Sequence, residues 1–345
     1  AALVEVIGEP HPAFSSQGLL DAVGGVADRN WQRHVEPLVE ASCPGLRSTP
    51  AYHKIRIAAL DFFACGPYFA LILGRRRPWV LRLLTAGARV LRWDRACLSR
   101  QLALGLPLYA RARLGSEGRR IALGTAFIGV VDEVLDHGLA DLAPTERIEL
   151  IKQTVRAGRT GTGDGPPLSG RPSADGNLSL IGALCAALAE GLSPAEAREL
   201  SEILESSLAW AEAEQARLEA RPDPSGLAHR GAGIEAGTRG LAWTVEGWIG
   251  PAERDWMRSV STFMQMLDDW VDLEADLVRG ERTPVAEGVW TLEGIEARFH
   301  ETTESIVAIA ERNGEHYPPF LELLRDSYVQ RIRVLLQKMI SGEAA

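Results

Sequence analysis

Apolar positions recur three, four, seven and eight residues apart along most of this chain, the spacing that gathers them on one face of an α-helix, and alternating runs of the strand type are scarce. The pattern predicts an all-α protein. From Tyr52 the run YHKIRIAALDFFACGPYFALILG is helical, with a break at Gly66-Pro67 because proline cannot continue the preceding hydrogen bonds. Amphipathic pieces follow over Trp79–Leu98 and about Leu102–Leu114. A mostly buried helix spans Arg119–Leu142, with Gly138 as its stop. Ser193-Pro194-Ala195-Glu196 is a capping box that starts a helix running to about Ala220. The glycine-rich stretch His229–Gly250 reads either as a kinked helix lining a pocket, with Arg239 turned toward it, or as an ordinary tight helix–helix contact. Helices near Leu292–Asn313 and Pro318–Ile340 close the bundle. Residues 1–50 read as an irregular wrap with one amphipathic piece near Asp28–Glu40, and the Gly/Pro/Ser-rich residues 157–178 as a flexible loop. Residues 279–288 are expected to be mobile as well. The whole chain, 1–345, is expected to be one domain, a bundle of about ten or more helices around a central apolar cavity.

The stretch Phe263–Arg282 departs from this pattern in an informative way. Asp268, Asp269, Asp272 and Asp276 stand among Phe263, Met264, Met266, Leu267, Trp270, Val271, Leu273 and Leu277. Asp268, Asp272 and Asp276 form one carboxylate stripe; Gln265, Asp269, Asp272 and Asp276 form another that overlaps it. Carboxylates one turn apart repel, and no basic residue lies between Arg258 and Arg279 to offset them. A solvated acidic face would carry such residues. A hard divalent cation offsets the repulsion instead, because Mg²⁺ takes oxygen ligands from one or two carboxylates and from substrate phosphates. Asp132 and Asp136, with Glu133 between them, repeat the arrangement inside the apolar helix Arg119–Leu142. The two acidic helices are expected to face each other across the cavity. The cluster Gly74–Pro78, GRRRP, has phosphate-clamping chemistry but is read first as a surface cluster before a helix.

The 46% hydrophobic content of 345 residues is ample for a large core. A net charge of -9 gives no general footprint for nucleic acid or an anionic membrane, although local basic clusters still matter. Cys43, Cys65, Cys97 and Cys185 are scattered and form no C-x-x-C pair, which suits reduced core cysteines in a cytoplasmic protein. No apolar run is expected to reach the length of a membrane span. A homodimer is left open as an assembly.

Two acidic motifs on separate helices, with arginines nearby, resemble the class I isoprenoid synthase superfamily of trans-prenyltransferases, squalene and phytoene synthases and class I terpene cyclases. Gln265-x-x-Asp268-Asp269-x-x-Asp272-x-x-x-Asp276 is similar to the second aspartate-rich motif of trans-prenyltransferases. Asp272-x-x-x-Asp276-x-x-Arg279-Gly280 resembles that of phytoene synthases, and Asp132-Glu133-Val134-Leu135-Asp136 resembles their first motif. The arginines that elongating enzymes carry after the first motif are replaced by His137-Gly138-Leu139-Ala140. Those that phytoene synthases carry before it are replaced by Ile128-Gly129-Val130-Val131. With no second diphosphate site, the resemblance favours a terpene cyclase, with prenyltransfer as the alternative. A helical metal-dependent phosphohydrolase and a non-catalytic scaffold are remoter alternatives.

The resemblance implies a class I terpenoid synthase fold and an allylic polyprenyl diphosphate substrate. It implies Mg²⁺, with Mn²⁺ as the alternative ion, on Asp132, Asp136, Asp268, Asp272 and Asp276. It further implies diphosphate contacts from Arg239, Arg279 and Arg282, and aromatic walls from Phe127, Trp243, Phe263 and Trp270, with Trp248 as a further candidate. Asp132, Asp136 and Asp272 would be the indispensable carboxylates.

Overall fold

A computed structural model describes residues 2–11, 15–139, 142–160, 172–219, 226–280 and 283–342; the side chains of 112, 113, 115, 116, 136, 137, 144, 160, 172, 173, 214–219 and 226–230 fall outside the description. All regular structure among the described residues is helical. In chain order the α-helices are α1 (Ala2–Ile7), α2 (Gln17–His34), α3 (Glu36–Ser42), α4 (Pro50–Cys65), α5 (Pro67–Leu73), α6 (Trp79–Leu91), α7 (Arg95–Arg113) and α8 (Gly115–Glu133). There follow α9 (Pro144–Thr160), α10 (Pro172–Ala189), α11 (Pro194–Glu219), α12 (Gly226–Thr244), α13 (Pro251–Val271), α14 (Leu273–Arg279), α15 (Leu292–Arg312) and α16 (Pro318–Ser341). The expected all-α class holds.

The chain divides into two compact units. One comprises residues 1–28, 63–118 and 245–345, the other 29–62 and 119–244. One boundary falls at the end of α12; the other three fall inside α2, α4 and α8. No linker marks them, so nothing in the composition could reveal them.

In the first unit α13, α15 and α16 pack together with the wholly buried α5. Phe69, Trp256 and Tyr328 form an edge-on aromatic triangle, with centroids 5.9–6.4 Å apart. Trp256 donates to the Thr302 carbonyl at 3.0 Å and Tyr328 to Thr302 Oγ1 at 3.0 Å, so both polar tips are satisfied inside the core. Glu253 caps α13 by accepting from the Gly250 amide at 2.9 Å. In the second unit α9 packs on α10 and on α11, α11 packs on α12, and α10 packs on α3. Its core gathers Trp31, Val35, Phe127, Ile151, Ile181 and Leu204 among others.

Several expectations are corrected. The first fifty residues are largely helical rather than irregular, because Trp31, Val35 and Val39 have a core to enter. Trp79–Leu98 is interrupted: α6 ends at Leu91, Arg92 is left-handed (φ 53°), and Asp94 caps α7 by accepting from the Cys97 amide at 2.7 Å. The loop expected over 157–178 is shorter, since α9 runs to Thr160 and α10 starts at Pro172; 161–171 lie outside the described residues. Its two described glycines, Gly158 and Gly176, serve packing. A Cβ on Gly158 would stand 2.4 Å from the Gly182 carbonyl oxygen, and one on Gly176 would stand 2.4 Å from Cys43 Sγ. Within 279–288, Thr283 and Val285 are buried in the fold, and 281–282 lie outside the described residues. Among the described residues one stretch, Pro50–Leu73, is long and apolar enough to cross a membrane, but it breaks at Gly66 and most of it is buried in the fold. Cys65 and Cys185 are buried, and none of the four cysteines is in a disulfide.

Candidate functional site

The second unit contains a cavity of about 200 Å³ between α8, α11 and α12. Gly124 stands close to Thr244, where an added Cβ would be 2.9 Å from the methyl, and Gly240 stands close to Ile203. A Cβ on Gly233 would meet the Trp210 ring at 2.4 Å. The two approaches to α11 make α12 antiparallel to it, and the lining of α8 starts from Gly124 beside Thr244, so the cavity has two ends. Asp132, Leu135, Trp210 and Gly233 stand at one end. Gly124, Leu188, Leu200, Trp243 and Thr244 stand at the other, eight residues or about 12 Å along α8 from Asp132. The wall is almost wholly apolar. Glycines and alanines of α12 let the helices approach closely enough for large side chains to line the space from α8 and α11.

Asp132 is an exposed carboxylate set in this wall. It lies in the last turn of α8, and the chain then continues as a single π-helical turn, Val134–Gly138, closed by the Leu139 amide donating to the Val134 carbonyl at 3.1 Å. Arg147 of α9 holds that turn. Its Nη1 donates to the Leu135 carbonyl at 3.1 Å and its Nε to the Leu142 carbonyl at 2.9 Å. π-turns of this kind cluster at functional sites. Asp136 lies within the turn, but its side chain is outside the described residues. Arg147 was not singled out from the sequence, where it is one more arginine in an amphipathic helix.

The other acidic stretch belongs to the first unit. The expected continuous stripe is interrupted, because α13 ends at Val271 and α14 begins at Leu273, with Asp272 (φ -87°, ψ 0°) forming the joint. The four aspartates divide by environment. Asp268 and Asp272 are exposed, whereas Asp269 and Asp276 are 3% and 4% exposed. Gln265 donates to Asp269 Oδ1 at 2.8 Å and reaches Asp268 Oδ2 at 3.4 Å. Arg279 donates to Asp276 Oδ1 at 2.7 Å. Asp276 therefore already has a cation, and the most accessible carboxylates of the stretch are those of Asp268 and Asp272.

The remaining expected residues separate. Phe127 and Trp243 line the cavity. Phe263 instead packs on Phe299 in the core of the first unit, with centroids 5.6 Å apart. Trp248 packs edge-on against Tyr109, and Trp270 is half-buried. Arg239 does not line the cavity: α12 turns its glycine and alanine face inward, and Arg239 is exposed and paired with Glu202 at 3.2 Å. Arg282 lies outside the described residues. Arg77 of GRRRP is structural; it is buried over Phe320, pairs with Glu315 at 3.1 Å and donates to the Ala310 carbonyl.

Among the described residues no three His, Cys, Asp or Glu side chains are grouped to hold a metal. The donor chemistry still fits Mg²⁺, which needs only one or two carboxylates when substrate phosphates complete its shell. Asp132 in one unit offers exposed hard oxygens of that kind, and so, separately, do Asp268 and Asp272 in the other. Compared with models of known protein families, with characterised proteins and with solved structures, the chain matches none.

Proposed function

We propose that the protein is a Mg²⁺-dependent class I terpene synthase that ionises an allylic polyprenyl diphosphate and releases diphosphate and a terpene. One observation carries the reading: among the described residues an almost wholly apolar cavity has a single carboxylate, Asp132, in its wall, and that carboxylate belongs to the first acidic motif. The hydrocarbon enters the cavity with its diphosphate at the Asp132 end. The allylic C–O bond breaks heterolytically, its electron pair leaving with the diphosphate and an allylic cation remaining on the chain. Bound Mg²⁺ would supply Lewis-acid neutralisation of the leaving oxygens; Asp132 and Asp136 offer one acidic pair to such an ion, and Asp268 and Asp272 separately offer another. Phe127 and Trp243 offer aromatic faces to the cation, each worth about 0.5–2 kcal/mol. The apolar wall excludes water until the carbon skeleton has rearranged and lost a proton.

The test incubates the protein with allylic diphosphates of increasing length, with and without Mg²⁺, and identifies products by mass spectrometry. Mg²⁺-dependent release of diphosphate together with a hydrocarbon or alcohol product is expected. Adding isopentenyl diphosphate separates cyclisation from chain elongation, and absence of diphosphate release from every substrate overturns the reading.

A further inference from the structure

We propose that the α6–α7 hairpin seats the protein on an anionic lipid bilayer. Residues 74–113 carry ten arginines and a single acid, Asp94, in a chain whose net charge is -9. The charge of this segment is thus opposite to that of the whole. The side of α6 turned away from the core is apolar where a solvated helix would be polar. Trp79, Leu83 and Val90 recur at helical spacing along it and are 50%, 62% and 81% exposed. On α7 the outward residues Leu104 and Leu108 are 67% and 58% exposed. The two helices meet tightly, since a Cβ on Gly105 would stand 2.6 Å from Leu84 Cδ1, so the apolar stripes belong to one hairpin.

Guanidiniums frame this surface. Arg75, Arg76, Arg82, Arg92, Arg100 and Arg111 are exposed, and no carboxylate among the described residues pairs with them. Arg77 and Arg89, by contrast, are tied to Glu315. Exposed apolar area rimmed by charge marks an interaction surface. A nucleic acid or an acidic protein loop would neutralise the arginines but leave Trp79, Leu83 and Val90 in water. A bilayer covers both: leucines and valine enter the acyl boundary, Trp79 sits at headgroup depth, and the arginines extend their stems through the apolar layer to lipid phosphates. The net negative charge of the rest of the chain makes an anionic membrane selective for this one face.

The experiment sediments the purified protein with vesicles of phosphatidylcholine alone and of phosphatidylcholine mixed with phosphatidylglycerol. Cosedimentation is expected only with the mixed vesicles, falling as salt is raised. Arg75→Ala with Arg76→Ala is expected to weaken it about thirtyfold. Leu83→Glu with Val90→Glu is expected to abolish it at an unchanged melting temperature, because both positions are exposed. Binding to neither vesicle, equal binding to both, or wild-type binding by both variants overturns the proposal. So does a dimer in light scattering that Leu83→Glu with Val90→Glu dissociates, since a second copy then covers the face.

Discussion

The Arg120 guanidinium carbon lies 5.1 Å from the centre of the Trp243 ring, at the end of the cavity away from Asp132. Arg120 is itself held by Glu196 Oε1 at 2.7 Å, and Glu196 accepts from the Ser193 amide at 2.9 Å as the capping box of α11. The Arg120 hydrogen bond first, and then those from Ser193, pull the Glu196 carboxyl down to about 2. A helix cap, an ion pair and a cation over an indole thus form one chain that fixes the closed wall.

Truncating that wall lengthens the cavity. An apolar cavity of about 150 Å³ holds one benzene, so 200 Å³ holds about eight carbons, close to a ten-carbon chain with its head at the mouth. Trp243→Ala is expected to cost about 3–5 kcal/mol of stability and to shift diphosphate release from ten-carbon toward fifteen-carbon substrates. Denaturant unfolding and competition between substrates check the two effects separately. An unchanged length preference in a folded variant removes Trp243 as the wall.

Glycine content has opposite meanings at different positions. Gly158→Ala forces a methyl to 2.4 Å from the Gly182 carbonyl oxygen, a backbone atom that cannot rotate away, and should cost about 1–3 kcal/mol or more by separating α9 from α10. Gly24→Ala meets nothing within 4 Å in the interior of α2 and should stabilise by about 0.5–1 kcal/mol through helix propensity. Melting temperatures moving in the same direction would contradict this assignment.

His34 predicts how stability responds to acid. Burial, followed by the nearby charges of Arg33 and Arg119, lowers it from 6.5 to about 4. Between those values the unfolded chain binds a proton that the folded one refuses, so this residue's contribution is complete above pH 6.5 and is lost as the pH falls toward 4. Urea unfolding at about pH 7.5 and about pH 5 should show wild type losing more stability than His34→Gln. An equal loss in both proteins would mean that the side chain is solvated.

The long helices were legible in the sequence because cap and period coincide there. Ser193 and Glu196 start α11 one residue after the predicted cap, and α15 and α16 end within a residue or so of prediction. Asp132 was legible as an acid in an apolar run. What the sequence could not show were the consequences of tertiary contact. Gly158 and Gly176 look like loop residues until α9 meets α10 at the first and α10 meets Cys43 at the second, and Arg239 and Arg77 look available until Glu202 and Glu315 take them. Phe263 and Phe127 sit in equally apolar helices, and only packing sends one to a core and the other to a cavity. The break at Asp272 carries no proline or glycine to announce it.

That break changes what the four aspartates are expected to do. A continuous helix would put Asp268, Asp272 and Asp276 on one face and make Asp269 the bystander. The structure divides them by exposure instead. Asp269 and Asp276 are buried and engaged by Gln265 and Arg279, so Asp269→Asn and Asp276→Asn should each cost about 1–3 kcal/mol by weakening buried hydrogen bonds to a charged group. Asp268→Asn and Asp272→Asn change exposed groups and should leave stability within about 0.5 kcal/mol. On the proposed function the order reverses in activity: Asp272→Asn abolishes and Asp268→Asn depresses Mg²⁺-dependent diphosphate release, because theirs are the accessible oxygens. Melting temperature and diphosphate release, measured side by side for the four variants, distinguish the possibilities. Asp269→Asn dead at an unchanged melting temperature while Asp272→Asn turns over normally would place the metal on the buried pair. Four active variants would mean that this stretch binds no catalytic metal.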